Sequence, residues 1–282
     1  MIVVTGATGQ LGRLVIASLL KKTPASSIAA AVRNVEKAKN LAALGVQVRQ
    51  ADYNQPENWD AALKGADKVL LISSSEIGQR AHQHKAVIDA AKRAGVKLLA
   101  YTSVLHADTS VLGLADEHKE TEAYIRASGV PSVILRNGWY TENYAAGILT
   151  ALSLGAVYGC AGEGRISSAA RADYAEAAAV ALISEGQAGK TYELAGDSSY
   201  TMSEFAAEVS HQSRKPINYV NLPEAEYRKA LLGAGLPEFV AELLANADAG
   251  ASKGALFDEG KQMSKLIGKP TTTLATTVKA AL

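Results

Sequence analysis

Residues 2–20 read IVVTGATGQLGRLVIASLL, and this stretch decides the fold. A short apolar strand leads into the glycine-rich turn GATGQLG, and an apolar helical run follows. Because glycine lacks a Cβ, Gly6 can turn tightly, Gly9 can let a phosphate approach the backbone, and Gly12 can let the helix pack close to the strand. The start of the helix offers backbone N–H donors to a pyrophosphate. The pattern predicts a dinucleotide-binding turn, and the alternative is a plain strand-to-helix turn without a ligand.

Composition limits the classes of function. The chain has 282 residues, and 29 basic and 28 acidic side chains give a formal net charge of +1. Without a dense basic run we expect no nucleic-acid partner. Cys160 is the only cysteine, so it is expected to be a small buried packing residue in a reducing compartment. No segment approaches the roughly 20 apolar residues that span a bilayer. We therefore expect a cytoplasmic protein with no membrane partner and no metal; the sequence leaves the oligomeric state open.

Strands and helices alternate through the first half of the chain. Apolar runs predict further strands at 28–32, 46–50, 68–72, 96–101 and 130–135, with helices between them. Alternation of this kind predicts an α/β fold, a Rossmann-like doubly wound parallel sheet. Beyond residue 151 the alternation loosens: 155–164 reads as a loop, 171–183 as a helix, 191–194 as a strand returning to the sheet, and 201–204 as a capping box. We predict a cofactor domain over 1–138 and a smaller, mainly helical domain over 139–282.

The residue after the second strand indicates the cofactor. An acidic residue at this position accepts the ribose 2′-hydroxyl of NAD, whereas an arginine can pair with the 2′-phosphate of NADP. Here the residue is Arg33, and Lys37 follows one turn later. The sequence therefore predicts NADPH, with a solvated arginine as the alternative. Asp52, after the third strand, either holds the adenine amino group or bonds to its own turn.

Ser73, Ser74 and Ser75 follow the fourth strand. Small hydroxyl side chains at this edge of a parallel sheet often lie beside the cofactor, although serine clusters are also common in loops. None of the 11 tyrosines is followed four residues later by a lysine. The proton relay of the usual short-chain dehydrogenases is therefore missing. The charged run 117–121 reads as a solvated helix face, and His118, Lys119 or His106 as a proton donor is a weaker alternative.

The second informative stretch follows the sixth strand. Asn137 comes directly after the predicted strand, where its amide can bond to the cofactor or to a substrate carbonyl. Trp139, Tyr140 and Tyr144 offer flat faces suited to stacking a planar ring. The alternative is that these aromatic side chains only pack the protein together.

These segments together resemble the NmrA-like branch of the atypical short-chain dehydrogenases, and within it the bacterial NADPH-dependent quinone reductases, with the triphenylmethane reductases as relatives. The resemblance covers the whole chain. The segments that carry it are GATGQLG at 6–12, AVRN at 31–34, QADY at 50–53, LLISSSEIGQRAHQH at 70–84, YTSVLHADTS at 101–110, LGLADEH at 112–118, LRNGWYTENY at 135–144, RADYA at 171–175 and YELAGDS at 192–198. The dye-reducing relatives differ after the fourth strand, which favours the quinone type.

The resemblance implies an NADP-binding Rossmann domain with a small C-terminal domain and a quinone in the cleft between them. The residues expected to border NADPH, including Asp52 from its position after the third strand, are Gly6, Ala7, Thr8, Gly9, Gln10, Leu11, Arg33, Asp52, Ser73, Ser74, Ser75, Asn137, Gly138, Trp139, Tyr140, Arg171 and Tyr174. Those expected to border the quinone are Asn137, Trp139, Tyr140, Asn143 and Tyr144.

The expected reaction is two-electron reduction of the quinone by direct hydride transfer from the nicotinamide. A quinone accepts hydride readily, so stacking it on the nicotinamide supplies most of what the reaction needs. The sequence assigns no catalytic acid or base. Two alternatives remain: a redox sensor of the NmrA type that binds NADP(H) and reports to a protein partner, and a triphenylmethane dye reductase.

Overall fold

The computed structural model describes all 282 residues, which form two compact units. The first unit contains residues 1–107, 116–137 and 172–192, and the second contains residues 108–115, 138–171 and 193–282. The first unit thus includes a later piece of chain, 172–192, in addition to most of the first 137 residues. The domain boundary after residue 138 stays a prediction.

Nine strands are present. They are β1 (Ile2–Val4), β2 (Ile28–Val32), β3 (Gln47–Gln50), β4 (Lys68–Leu71), β5 (Leu98–Val104), β6 (Ser132–Asn137), β7 (Ala156–Gly159), β8 (Thr191–Leu194) and β9 (Asn218–Asn221). Seven of them form one sheet in the order β3-β2-β1-β4-β5-β6-β8, and the neighbouring pairs from β3 to β6 are parallel. The chain starts at β1, builds outward through β2 and β3, and then crosses to β4 on the other side. This confirms the doubly wound fold and puts its switch point between β1 and β4.

Thirteen α-helices accompany the strands. They are α1 (Gln10–Leu20), α2 (Lys39–Ala43), α3 (Asn58–Ala62), α4 (Arg80–Arg93), α5 (Ala115–Ser128), α6 (Thr141–Ala145), α7 (Ile148–Leu154), α8 (Arg171–Ile183), α9 (Met202–Ser213), α10 (Glu224–Gly233), α11 (Glu238–Ala251), α12 (Gln262–Ile267) and α13 (Leu274–Ala281). None of them combines the length and the apolar character needed to cross a membrane.

The core of the first unit is built on the central strands. Every residue of β1, β2 and β5 is buried, as expected for a parallel sheet covered by helices on both faces. One apolar cluster joins these strands to α3 and α4, and Trp59 and Ile88 are among its fully buried members. Such a core holds the carboxyl ends of the strands rigidly, and these ends carry the loops described below.

The second unit is mainly helical and contains a small sheet. Strand β7 pairs in parallel with β9, so the loop predicted over 155–164 is wrong for residues 156–159. The short run Ala156–Gly159 carries a weak strand signal by itself, and its partner lies about 60 residues later in the chain. The capping box is confirmed, because the Thr201 side chain accepts from the Glu204 N–H and the Glu204 carboxylate accepts from the Thr201 N–H.

Candidate cofactor site

The turn between β1 and α1 has the predicted conformation. Gly6 has a φ of +56°, which favours glycine. A Cβ on Gly12 would lie 2.5 Å from the Gly6 carbonyl oxygen, so only glycine lets α1 start this close to the strand. Gly9 is the N-cap residue, and no side chain caps the helix. The first N–H groups of α1 therefore remain available to an anion.

A cleft of about 330 Å³ opens beside this turn, within the first unit. It is lined by Gly6, Thr8, Gly9, Gln10, Leu11, Gly12, Ala31, Val32, Arg33, Ala51, Asp52, Tyr53, Trp59, Ile72, Ser73, Ser74, Ser75 and Glu76. The fold thus brings together ten of the residues predicted to hold a cofactor. Ala7 is fully buried under the turn, where its N–H faces the Ala31 carbonyl oxygen at 3.4 Å, and it does not line the cleft.

Arg33 and Asp52 lie at the rim of this cleft. The exposed Arg33 guanidinium forms an ion pair with Glu76, with Nη1 and Oε1 3.6 Å apart. Asp52 Oδ1 accepts from the Asn54 N–H at 3.0 Å, so Asp52 forms the local turn that the sequence offered as one interpretation. The contact of Asp52 with an adenine stays a prediction.

The loop after β4 forms one wall of the cleft, and side chains from three directions hold it. The Ile72 N–H donates to Thr5 Oγ1 at 2.9 Å, and the Ser73 N–H donates to Thr102 Oγ1 at 2.9 Å. The Tyr53 hydroxyl donates to the Ile72 carbonyl oxygen and contacts Thr5 Oγ1, both at 2.6 Å. These bonds fix the backbone of the loop before any ligand binds.

The predicted solvated face over 117–121 is wrong for part of the run. His118 is 4% exposed, and its Nδ1 lies 2.7 Å from the Tyr101 hydroxyl. Burial, together with the charge of Arg80, lowers the pKa of His118 to about 3. The imidazole is therefore neutral at neutral pH and is a poor proton donor. Lys119 lies on the surface and pairs with Asp116 at 2.9 Å.

Asn137 is the last residue of β6 rather than the first residue after it. Its side chain is buried, and its Oδ1 has no hydrogen-bond partner. A buried acceptor without a partner costs free energy unless a donor reaches it. This atom therefore suits a ligand that carries an N–H or O–H group.

Most of the other residues predicted to border the cofactor or the quinone lie in the second unit. The Arg171 guanidinium lies 4.4 Å from the centre of the Tyr140 ring, and its Nη2 donates to Asn143 Oδ1 at 3.3 Å. Tyr144 packs against Phe205, and its hydroxyl donates to Asp248 at 3.1 Å. Trp139 is buried. These contacts describe packing within the unit, and a substrate contact for Tyr140, Asn143 or Tyr144 stays a prediction.

Gly138 and Tyr174 complete the predicted set. The Gly138 N–H donates to the Leu194 carbonyl oxygen at 2.8 Å. Tyr174, in α8, is 1% exposed and does not line the cleft.

Cys160 is a buried packing residue as expected, and burial raises the pKa of its thiol to about 12.

Sequence reasoning missed several residues at the cleft. Tyr53, Trp59, Ile72 and Glu76 line it, and Arg13 ties the glycine turn to the segment after β2 through the Thr8 and Lys37 carbonyl oxygens. Tyr53 carried a signal because it stands in the QADY segment of the family resemblance, and so did Ile72 and Glu76, which stand in the segment at 70–84. The others are brought to the site by tertiary contacts.

The arrangement fits a phosphorylated dinucleotide. In the cleft, the glycine turn and the start of α1 suit a pyrophosphate, and Arg33 suits a further phosphate. Asn137 does not line the cleft, but its unsatisfied acceptor suits a carboxamide amine. The rest of the cleft is lined by apolar and hydroxyl side chains together with Gln10, Asp52 and Glu76, which suits a sugar and a base.

Comparisons with known proteins agree with this geometry. Quinone oxidoreductase 2 of Escherichia coli is 59% identical over 278 residues, which cover 99% of this chain and 97% of the relative. The crystal structure of NADPH-dependent quinone oxidoreductase QOR2 from Escherichia coli complexed with NADPH is 58% identical, covers 99% of both chains and superimposes with a TM-score of 0.97. That of Citrobacter sp. triphenylmethane reductase complexed with NADP(H) is 43% identical, covers 100% of both chains and also has a TM-score of 0.97.

The sequence profile of the NmrA-like family matches residues 1–275, nearly the whole chain. The overall fold is thus shared with proteins of similar sequence over nearly their full length. The chain belongs to the NmrA-like family.

Proposed function

We propose that this chain is an oxidoreductase that uses NADPH to reduce quinones by two electrons. The observation that carries the proposal is the cleft built on the glycine turn with Arg33 at its rim. The 59% identity to a quinone oxidoreductase over nearly the whole of both chains supports the choice of acceptor. Because the identity to a triphenylmethane reductase is lower, at 43%, reduction of triphenylmethane dyes is the second candidate function.

The residues of the cleft, together with Asn137, would share the binding of NADPH. The N–H groups at the start of α1 would bind the pyrophosphate, and the Arg33 guanidinium would exchange Glu76 for the 2′-phosphate. The loop Ser73–Ser75 would border the sugar, and Asn137 Oδ1 would accept from the carboxamide amine. When bound, NADPH supplies a hydride to the quinone. The part of the protein is to orient the donor and the acceptor in a site from which water is excluded.

The chain offers no strong acid in the positions where related enzymes use one. His118 is neutral and buried, Lys119 is paired on the surface, and no tyrosine precedes a lysine by four residues. This suits a quinone, which accepts hydride without prior protonation, and water can supply the protons afterwards. Trp139, Tyr140 and Asn143 are our proposed contacts for the quinone, together with the ring of Tyr144. The Tyr144 hydroxyl already donates to Asp248.

We also propose a cytoplasmic location, where NADPH is available and where the unpaired thiol of Cys160 stays reduced.

The test is steady-state NADPH oxidation with a panel of quinones of graded size, with a triphenylmethane dye as a competing acceptor and an acceptor-free reaction as the blank. We expect turnover with quinones, a preference for NADPH over NADH, and slower or no turnover with the dye. Tight NADPH binding without turnover of any acceptor would contradict the enzyme and favour a redox sensor. Failure to bind NADPH would contradict both.

A further inference from the structure

The peptide groups of Ser74 are held on both sides by helix α4. The Ser74 N–H donates to His84 Nε2 at 2.9 Å, and Arg80 Nε donates to the Ser74 carbonyl oxygen at 2.7 Å. Both helix side chains are buried, with His84 0% and Arg80 9% exposed. Ser74 itself lines the cofactor cleft. Two side chains outside the cleft therefore fix the two peptide groups of Ser74 on its wall.

His84 is in turn fixed from behind. Its Nδ1 lies 3.0 Å from Thr121 Oγ1, and the Thr121 hydroxyl donates to the Glu117 carbonyl oxygen at 2.8 Å. Because the single hydroxyl proton is used in that bond, Thr121 must accept from His84. The ring therefore carries its proton on Nδ1 and presents Nε2 as an acceptor. Burial, and then the charge of Arg80, lower the pKa of His84 to about 3, which keeps this neutral form.

The bond from Ser74 completes a regular pattern. The N–H groups of Ile72 and Ser73 already donate to threonine hydroxyls, and that of Ser74 donates to the imidazole. Three consecutive N–H donors of the loop are thus already paired within the protein. The carbonyl oxygens of Ile72 and Ser74 already accept from Tyr53 and Arg80, so the serine hydroxyls remain for a ligand, and these suit the hydroxyls of a ribose better than a phosphate.

We propose that His84 is a positioning residue for NADPH: by accepting from the Ser74 N–H, it holds the wall Ser73–Ser75 in the shape that binds the cofactor. The inference rests on the proposed function, because NADPH is the ligand whose binding the wall serves. His84 acts through Ser74 and touches no ligand itself.

Two polar substitutions at this position separate the two bonds of the ring. Glutamine places an acceptor near the position of Nε2, so His84→Gln keeps the bond from Ser74. Asparagine reaches only as far as Nδ1, so His84→Asn keeps the contact with Thr121 and loses the bond from Ser74. His82, exposed on the same helix, provides the matched control His82→Asn. The measurements are NADPH affinity by titration, hydrogen exchange of the Ser74 amide in the free protein, and the melting temperature.

We expect His84→Asn to weaken NADPH binding about tenfold, the worth of one hydrogen bond to a buried group, and to speed exchange of the Ser74 amide. His84→Gln and His82→Asn should stay near the parent in both readouts. Equal NADPH affinity for the parent, the Gln and the Asn variants would overturn the inference, whatever the melting temperatures. So would an equal loss in both variants, because a merely structural histidine predicts that result.

If His84→Asn does not fold, the pair Thr121→Val and Thr121→Ser replaces it. Valine has the shape of threonine without the hydroxyl that holds the ring, and serine keeps the hydroxyl. Weaker NADPH binding in the valine variant alone supports the inference, and equal binding overturns it. A parent protein that fails to bind NADPH would contradict the proposed function instead, whereas exchange at Ser74 would still report whether the histidine holds the loop.

Discussion

The Glu122 carboxylate and the Arg136 guanidinium form a buried two-pronged ion pair, with both N–O distances at 2.9 Å. Glu122 is 1% and Arg136 8% exposed, and the Ser103 hydroxyl donates to the same carboxylate at 2.6 Å. Burial alone would raise the pKa of Glu122, but the hydrogen bonds from Arg136 and Ser103 outweigh it and lower the pKa. The pair ties α5 to strands β5 and β6, next to Asn137 at the end of β6.

Glu122→Gln should lower the free energy of unfolding by about 3–5 kcal/mol, because it leaves a buried guanidinium without its counter-charge. Urea denaturation measures the change. Glu120→Gln, on the exposed face of the same helix, is the control and should change the stability by less than about 0.5 kcal/mol. Equal, small effects of both substitutions would mean that the ion pair is not needed for stability.

Arg33→Ala should weaken NADPH binding about 10- to 100-fold and leave NADH binding nearly unchanged, since a charge-assisted pair with a phosphate is lost. Titration of the two cofactors measures the gap between their affinities. Lys21→Ala removes an exposed positive charge at the end of α1 and should leave the gap unaltered. Equal affinities of the parent protein for NADPH and NADH would refute the assignment of Arg33.

Asn137→Ala should lower kcat with quinones about 10- to 100-fold, while the dissociation constant of NADPH changes much less, because misplacing the carboxamide disturbs orientation more than binding. Stopped-flow hydride transfer and cofactor titration separate the two effects. Asn218→Ala, exposed on β9, is the control. If Asn137→Ala turns over quinones normally, the nicotinamide is held by other residues.

Stability should fall as the solution is acidified from pH 6.5 towards pH 4. His84 and His118 have pKa values lowered from 6.5 to about 3 by burial and then by the charge of Arg80, so below pH 6.5 the unfolded chain binds protons that the folded chain does not. Asp248 acts in the opposite direction, because burial raises its pKa from 3.8 to about 6 and only the folded chain binds its proton in that window. Between pH 6 and pH 4 the two histidines bind two protons only in the unfolded chain, and the carboxyl binds one only in the folded chain. The free energy of unfolding therefore falls by ~1.4 kcal/mol for each pH unit of acidification.

Urea unfolding at a series of pH values, at constant ionic strength, checks this slope. Asp248→Asn removes the opposing group, so its stability should fall more steeply on acidification than that of the parent. The same variant should be the more stable protein at pH 7.5, where the parent buries a carboxylate that accepts from Tyr144 and Cys160 but faces no cation. A stability that does not change between pH 6.5 and pH 4 would show that the two histidines are solvated.

The fold could be predicted in large part because the apolar pattern is local. Strand β2 and helix α8 have the predicted bounds, whereas β5 and β6 run on to Val104 and Asn137. Most residues of these strand ends are polar, and they belong to the sheet because each has a neighbouring strand to pair with: Ser103 pairs with Arg136, and Val104 with Asn137. A polar residue at a strand end reads as a loop until its partner is known.

The cofactor-binding part of the site could also be predicted from the sequence, because the glycine turn and the residue after β2 are recognised from short, contiguous stretches. By itself, the sequence determined the doubly wound sheet, the glycine turn at residues 6–12 and the arginine that indicates NADPH, because periodicity and steric demands act over a few residues. Only the tertiary structure decided that His118 and Glu122 are buried, although their helix face has the composition of a solvated surface. It also decided that His84 accepts a hydrogen bond from the loop at Ser74. The physical reason is that a polar side chain can be buried only where partners satisfy it, and these partners come from distant parts of the chain.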